Sequence, residues 1–402
     1  MLDTNFIVRE PLLDPKQKVL GYEFSLQSAG DAGSSDVAPI DMVEFIAKEL
    51  NRQESGWMLG DSLLFLDASP TLILSEALVA LPPKSVVLTV QASEFAIPEI
   101  SEALKALRAE GFGISLRNAD LNGPDKALLP LVSHVEVAFN PEDFASQARL
   151  YASLKQTAVR MVARGIQTWA AYDSCASLGL DAFVGNLYMT TKPGSHPKGL
   201  NPAQAMILQL MDMVRKNADV RQLEGILKRD AGLSYKLLRY INSAGFGLGA
   251  EIQSLRHAVT MLGYSPLYRW LSVLLATAST GGYSPVLMHT AVIRGRFAEL
   301  LGKGFIPKAE LENLFVAGMF SLLDRLLGIP MEEVLEKIQL SEPVTQALLS
   351  REGMYGPFLG LAESCELNNG KIGELADSLF ISPVQVNEAH LAALAWAQNI
   401  KH

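Results

Sequence analysis

The sequence predicts an α/β half followed by an all-α half. Three observations carry that prediction. Up to Thr190, short strand-like runs alternate with helix-like segments. A Pro- and Gly-rich stretch, TTKPGSHPKGLNP from Thr190 to Pro202, then interrupts the pattern. Beyond it, strand signals nearly vanish and apolar residues recur at helical spacing.

The strand candidates, in order, are KVLGYEFSL, SLLFLDA, SVVLTVQ, FGISLR, HVEVAF, RMVARG and AFVGNLYM. Between them lie helical patterns such as DMVEFIAKEL and EISEALKALRAEG, where Ile100, Leu104 and Leu107 share one face. Strand-helix units of this length predict parallel strands, in either a doubly wound sheet or a (β/α) barrel. Pro193, Pro197 and Pro202 with Gly194 and Gly199 suit an interdomain linker. The predicted division is therefore 1–190, a linker at 191–202, and 203–402. In the second half, AMILQLMDMVRK, VRQLEGILKR, LSYKLLRYINSA, SLRHAVTMLG, YRWLSVLLATA and VLMHTAVIRGRFAELLG read as helices. Ser234 and Ser254 stand where N-caps belong, and Gly245 and Gly263 where helices stop. No internal repeat or low-complexity segment is evident.

Composition narrows the function classes. With 402 residues, 49% hydrophobic and 19% charged, the chain has enough apolar material for two to three packed domains. A net charge of −9 without a Lys/Arg run argues against a nucleic-acid or anionic-membrane surface. Cys175 and Cys365 are the only cysteines, too few and too far apart for a disulfide framework or a zinc site. Apolar runs such as WLSVLLATA are too short to span a bilayer, and MLDTNFIVRE has acidic residues and no apolar stretch of the length expected of a signal peptide. A soluble, cytoplasmic protein is expected. Its mean hydropathy of +0.18 fits a large interdomain or oligomeric interface.

A hydrolytic two-metal centre in such a barrel needs several carboxylates at the C-terminal ends of different strands. The strand ends offer Glu23, then Asp67, then Thr89 and Gln91, then Arg117 and Asn118, then Glu136, then Arg164 and Gln167. At most three of these are acids, expected to be spread around the mouth with two arginines among them. An arginine about 4 Å from a metal position would oppose a divalent ion by several kcal/mol. Glu23 is therefore read as a solvated or hydrogen-bonded strand-end residue.

Other sites fare no better. His134, His196, His257, His289, His390 and His402 form no His-x-x-x-His pair, and none precedes an Asp. His257 and His289 are read as capping or packing residues. Nothing around Cys175, in YDSCASLG, would lower its pKa. GFGLGAE, from Gly245, superficially resembles a dinucleotide fingerprint but follows a helix, so it is read as a helix-helix turn. Trp57, Trp169, Trp270 and Trp396 are read as separate packing residues. Asp324, alone in the apolar FVAGMFSLLDRLLG, is expected to cap a helix or meet Arg325 or Arg294.

Taken together, these residues resemble a bacterial architecture in which an EAL-type barrel precedes an HDOD domain. FIVREPLLDPKQKVLGYEFSLQ looks like the start of EAL domains in this group, with Arg9, Pro11, Asp14, Val19, Gly21, Tyr22 and Glu23 matching. FGISLRNAD stands in the place of the Asp-Asp motif, VARGIQT in that of the late Glu motif, and LGLDAFVGNLYM in that of the closing strand. LEGILKRDAGLSYKLLRYINSAGFG, SLRHAVTMLG, LFVAGMFSLLDRLLGIPMEEVL and LSEPVTQALLSREGMYGPFLGLAESCE are similar to HDOD segments. The fold so implied is α/β plus all-α: a TIM-like EAL barrel, then an all-helical, HD-related domain.

EAL enzymes hydrolyse cyclic di-GMP with Mg²⁺ or Mn²⁺ held by carboxylates. Carried over by position, the resemblance implies that only Glu23 keeps its identity. Asp67 replaces an Asn, Thr89 or Gln91 a Glu, Arg117 and Asn118 the paired aspartates, and Glu136 a lysine. Gln167 replaces the late Glu, Gln27 the nucleotide-binding arginine, and Val184 the glutamine near the end. In the second half, Ser321 and Leu322 stand where an HD enzyme has its His-Asp pair. These eight remnant positions (Glu23, Gln27, Asp67, Thr89, Arg117, Asn118, Glu136, Gln167) lead to an expected absence of catalytic residues, metals and cofactors.

The expectation is a catalytically inactive signalling protein of the cyclic di-GMP type. Its partners would be other signalling proteins, whether kinase, cyclase, phosphodiesterase or regulator, with homo-oligomers possible and neither nucleic acid nor membrane involved. Two alternatives stand beside it. One is a non-hydrolysing cyclic di-GMP receptor, with Arg117 and Arg164 meeting phosphates. The other is an active phosphodiesterase, which requires Glu23, Asp67 and Glu136 to converge from separate strands.

Overall fold

The structure, a computed structural model, describes residues 2–28, 38–52, 59–139, 143–190, 192–193, 200–242, 252, 254–278, 285–338, 340–367 and 369–398. It divides into two compact units. One comprises Met1–Pro193 with Ser364–Ala376 and Ser382–Glu388; the other comprises Gly194–Glu363, Asp377–Ile381 and Ala389–His402. The strands end before the expected linker at 191–202, most of which lies outside the described residues, as do His196, His402, Trp57, Gly245 and GFGLGAE.

In the first unit, eight described strands close into a barrel in sequence order. They are β1 (Asn5–Leu13), β2 (Val19–Ser28), β3 (Leu63–Asp67), β4 (Val86–Gln91), β5 (Gly113–Arg117), β6 (His134–Val137), β7 (Arg160–Arg164) and β8 (Ala182–Val184). From β2 onward the pairings are parallel, whereas β1 runs antiparallel to both β2 and β8. The sequence reading missed β1. NFIVREPLL carries Arg9, Glu10 and Pro11, which break the apolar run, and a proline usually demotes a strand. Here Pro11 lies where β1 meets β8, and its carbonyl accepts from the Gly185 N–H at 3.4 Å.

The helices α1 (Ala38–Arg52), α2 (Pro70–Ile73), α3 (Pro98–Glu110), α4 (Phe144–Leu154) and α5 (Trp169–Ser177) connect the strands. Local chemistry sets their ends. Pro98 opens α3, Gly111 at φ +113° closes it, and the Thr168 side chain caps α5 by accepting from the Ala171 N–H. Strand β4, VVLTVQ, is an almost continuously buried run, as expected of a parallel strand covered on both faces. Leu12, Phe65, Val87, Val162, Ala182 and Val184 fill the lower barrel. Because side chains alternate, Glu10, Glu23, Asp67, Thr89, Arg117, Glu136 and Arg164 face inward above them, at the C-terminal mouth.

Thirteen further helices follow among the described residues. They are α6 (Pro202–Arg215), α7 (Val220–Leu227), α8 (Ala231–Asn242), α9 (Leu255–Leu262), α10 (Tyr264–Thr277), α11 (Pro285–Gly302) and α12 (Leu311–Phe320). After these come α13 (Leu323–Leu327), α14 (Met331–Lys337), α15 (Glu342–Ser350), α16 (Gly356–Leu367), α17 (Ile372–Ser378) and α18 (Pro383–Gln398). Asn201 and Gln204 form a capping box at α6, with Pro202 in its first turn. Ser254 caps α9 and Gly263 ends it, as predicted. Ser234 instead lies inside α8; Asp230 does the capping, its carboxylate accepting from the Leu233 N–H at 2.9 Å.

Helices α11 and α12 pack backbone to backbone, because a Cβ on Gly318 would stand 2.6 Å from the Gly295 Cα. The tryptophans are less separate than expected: Trp270 and Trp396 stack at 6.4 Å, with Arg269 3.8 Å above Phe315 and 5.2 Å from Trp396. Asp324 meets neither expected arginine through its Oδ1, which accepts no hydrogen bond; the residue lies in the first turn of α13 without capping it.

Candidate functional site

The barrel mouth is a compact charge network. Arg117, from the end of β5, donates Nε and Nη2 to the two oxygens of Glu136 at 2.9 and 3.1 Å. Its Nη1 lies 2.8 Å from Asp67, and its Nη2 3.6 Å from Glu23. Arg164, from the end of β7, donates to Glu23 and also clamps Glu136 at 3.1 and 3.3 Å. Its Nη1 is 4.0 Å from Glu10. The three acids expected to be spread around the mouth therefore converge, but on two guanidiniums. Glu136 is held between both arginines, each engaging it through two hydrogen bonds, the geometry in which guanidinium and carboxylate pair best.

Burial sharpens these interactions. The Glu23 and Glu136 side chains are 8% and 10% exposed. Burial alone would raise Glu136, yet hydrogen bonds from Arg117 and Arg164 hold its carboxyl below the ordinary range. Burial pushes the Glu23 carboxyl up, against the pull of Arg164. Desolvation works against both guanidiniums too, but their carboxylate partners raise the pKa of each. Four carboxylates (Glu10, Glu23, Asp67, Glu136) face two guanidiniums, a formal excess of two negative charges.

The remaining predicted positions surround this network. Thr89, paired in register with Asp67, is buried with an unpartnered hydroxyl, and so is its neighbour Ser115. Asn118, at φ +54°, donates its side-chain amide to the Gln91 side-chain carbonyl oxygen at 2.8 Å at the rim. Gln167 is exposed between β7 and α5. Gln27 stands at the end of β2 with a buried, unpartnered carbonyl oxygen. Val184 belongs to the apolar lower layer. Cys175 is buried, and burial pushes its thiol up to about 11, in line with the reading that it is no nucleophile.

The divalent cations that the resemblance implies do not fit this donor set. Glu23 and Glu136 already spend their oxygens on arginines, and a metal ion among them would face both guanidiniums at close range. Among the described residues, no group of three or more His, Cys, Asp or Glu is arranged to hold a metal ion.

In the second unit, the site the sequence singled out at Ser321 is built on an arginine as well. Arg294, 1% exposed, donates to the Ser321 hydroxyl at 2.8 Å and pairs with Glu363 at 2.9 Å. Glu363 is also engaged by Arg351 through two contacts of 2.9 Å. Sequence reasoning named Arg294 only as one possible partner of Asp324 and missed Glu363. The detectable signal was Arg294 itself, a charge inside the apolar helix VLMHTAVIRGRF.

Comparison with known proteins supplies the class. Residues 200–339 match the HDOD domain, so the helical half carries an HDOD domain. Along nearly its whole length the chain is similar to two curated proteins. One is the uncharacterized protein YuxH of Bacillus subtilis, 24% identical over 98% of each chain. The other is the cyclic di-GMP phosphodiesterase CdgJ of Vibrio cholerae, 24% identical over 99% of this chain and 93% of its own. Among solved structures, the cAMP-bound EAL enzyme Bd1971 aligns at 15% identity and TM-score 0.38, over 46% of this chain and 61% of that one. The EAL domain of Mycobacterium smegmatis DcpA aligns at 16% identity and TM-score 0.36, over 45% of this chain and 90% of its own. The alignment thus spans less than two thirds of the Bd1971 chain. Among the described residues, no helix is long and apolar enough to cross a membrane.

Proposed function

We propose that this chain is a regulatory protein of cyclic di-GMP signalling that does not hydrolyse the nucleotide and acts through contacts with other signalling proteins in the cytoplasm. The similarity to CdgJ supports the pathway. One observation carries the loss of hydrolysis: Arg117 and Arg164 satisfy the carboxylates that a metal pair would need. The same network argues against a receptor for the dinucleotide. Both arginines are engaged by carboxylates, and the residual charge of the mouth is negative, so two phosphates would enter against repulsion.

Calorimetric titration with cyclic di-GMP, with and without Mg²⁺, followed by chromatography of the nucleotide, tests this reading. The expected result is no binding heat and intact nucleotide. Binding with intact nucleotide would make the protein a receptor, and appearance of the linear dinucleotide would make it a phosphodiesterase like CdgJ.

A further inference from the structure

Where the end of α6 meets α10, α12 and α15, the second unit leaves an open cavity of about 330 Å³. Val214, Val316, Leu340 and Val344 make its wall apolar, with Tyr264 and Tyr268 beside them. The Tyr264 hydroxyl donates to the Ala218 carbonyl at 2.7 Å, which fixes that side chain. A preformed cleft of this size, apolar with a few polar groups, is the usual form of a small-molecule site.

Two charged side chains, Glu312 and Arg215, belong to the wall as well. Glu312 is the less well served of two acids that share one arginine. Arg269 donates to both oxygens of Glu299 at 2.8 Å, and Arg296 adds a further contact of 2.8 Å. The Oε1 of Glu312 receives Arg269 at 3.5 Å, while its Oε2 is buried without a hydrogen-bond partner. Burial pushes the Glu312 carboxyl up; it would raise Glu299 too, but Arg269 and Arg296 hold that acid below the ordinary range. A buried acceptor in this state is costly until a donor reaches it, and a cationic donor would also favour its ionised form. Arg215 is exposed at the end of α6, 3.8 Å from Asp212. A guanidinium has five N–H donors, enough to take a carboxylate in addition to its contacts within the protein.

The charges of Glu312 and Arg215 cancel, so a ligand matched to this wall carries both signs on an apolar body. We propose that the cavity binds a free α-amino acid with an apolar side chain. Its ammonium donates to Glu312, its carboxylate accepts from Arg215, and its side chain packs against Val214, Val316, Leu340 and Val344. A peptide end would offer only one of the two charges. The site belongs to the helical unit and is independent of the reading of the barrel mouth.

Saturation-transfer NMR on the full chain, with affinities from titration, tests this with L-leucine, L-isoleucine, L-valine, L-methionine and L-phenylalanine as probes. Each binder is compared with its N-acetyl form, which lacks the ammonium, and its amide, which lacks the carboxylate. At least one probe should bind, and both of its derivatives should bind at least about tenfold more weakly, the equivalent of one hydrogen bond to a charged group. Glu312→Gln and Arg215→Gln should each weaken the parent by a similar factor. Absence of binding by every probe would overturn the proposal. Undiminished binding in either variant would do so too, by putting the amino acid elsewhere, as would derivatives that bind as tightly as the parent. Should a variant fail to fold, Ser265→Trp decides: this exposed position of the wall tolerates bulk, the indole should block the cavity, and binding that persists would overturn the site.

Discussion

If Arg117 and Arg164 stand in for metal ions, replacing both should create a protein that asks for metal. In Arg117→Met/Arg164→Met the four carboxylates Glu10, Glu23, Asp67 and Glu136 lose their counter-ions. Removing one partner of a buried pair costs about 3–5 kcal/mol, and these side chains, from 8% to 56% exposed, should fall at or below the lower end per arginine. At roughly 2–4 °C per kcal/mol, the double variant should melt about 10 °C or more below wild type. Mg²⁺ should then restore part of the loss: at about 10 mM and a Kd near 1 mM, linkage gives about 1.4 kcal/mol, or roughly 3–6 °C. Single variants should be destabilised but gain little from Mg²⁺. A divalent ion about 4 Å from the remaining guanidinium still meets roughly 8 kcal/mol of repulsion at an effective dielectric near 20. Scanning fluorimetry with Mg²⁺, against Na⁺ at matched ionic strength, reads all of this. A wild type that gains as much from Mg²⁺ as the double variant would refute the reasoning. So would a double variant that melts with wild type. If the double variant folds only with Mg²⁺, the yield of soluble protein against Mg²⁺ reports the same linkage.

Three further outcomes are expected. Burial lowers the pKa of His134 from the ordinary 6.5 to about 4, with Arg160 and Arg108 adding to the effect. Its folded value is the lower one, so its stability contribution is complete above pH 6.5 and is lost toward pH 4, about 3 kcal/mol in all. Urea midpoints of wild type should therefore fall across that window more steeply than those of His134→Gln. Gly318→Ala would drive a methyl into the Gly295 Cα and the Arg294 carbonyl, which lie 2.6 and 2.8 Å from its Cβ position, and should destabilise the protein by about 1–3 kcal/mol in chemical denaturation; a neutral effect would show that α11 and α12 separate freely. Cys175 and Cys365, both buried with thiol pKa values raised by burial, should resist Ellman's reagent in the native state and react once unfolded; fast native labelling of either would contradict the packing.

The parallel strands and most helices were legible because their signals are local: β-branched runs such as VVLTVQ, and caps such as Ser254. β1 was not, since Arg9 and Pro11 look wrong for a strand until Glu366 and the edge position account for them. Strand order alone named Glu23, Asp67, Thr89, Arg117, Asn118, Glu136, Arg164 and Gln167 at the strand ends, whereas Gln27 came only from the resemblance and Glu10 was missed together with β1. Their convergence was not legible. Whether Glu23, Asp67 and Glu136 point apart or together depends on barrel closure and on arginine side chains long enough to reach across it. Asn387 was out of reach altogether, because its partner Ile7 lies 380 residues away and an asparagine in an amphipathic helix carries no sign of strand chemistry.

The two halves converge on one physical solution. In the barrel, Arg117 and Arg164 neutralise Glu23, Asp67 and Glu136; in the HDOD half, Arg294 neutralises Glu363 and bonds Ser321, where the resemblance puts a lost metal ligand. A divalent ion and a guanidinium answer the same need, the charge of buried carboxylates. They differ in two ways. The guanidinium is tethered to the chain, so it is always at hand without a binding equilibrium. It also offers only donors, with no open position at which a water could be bound and acidified. On the proposed reading, a site rebuilt in this way keeps the shape of its mouth while giving up the chemistry. That suits a module whose output is the surface it presents.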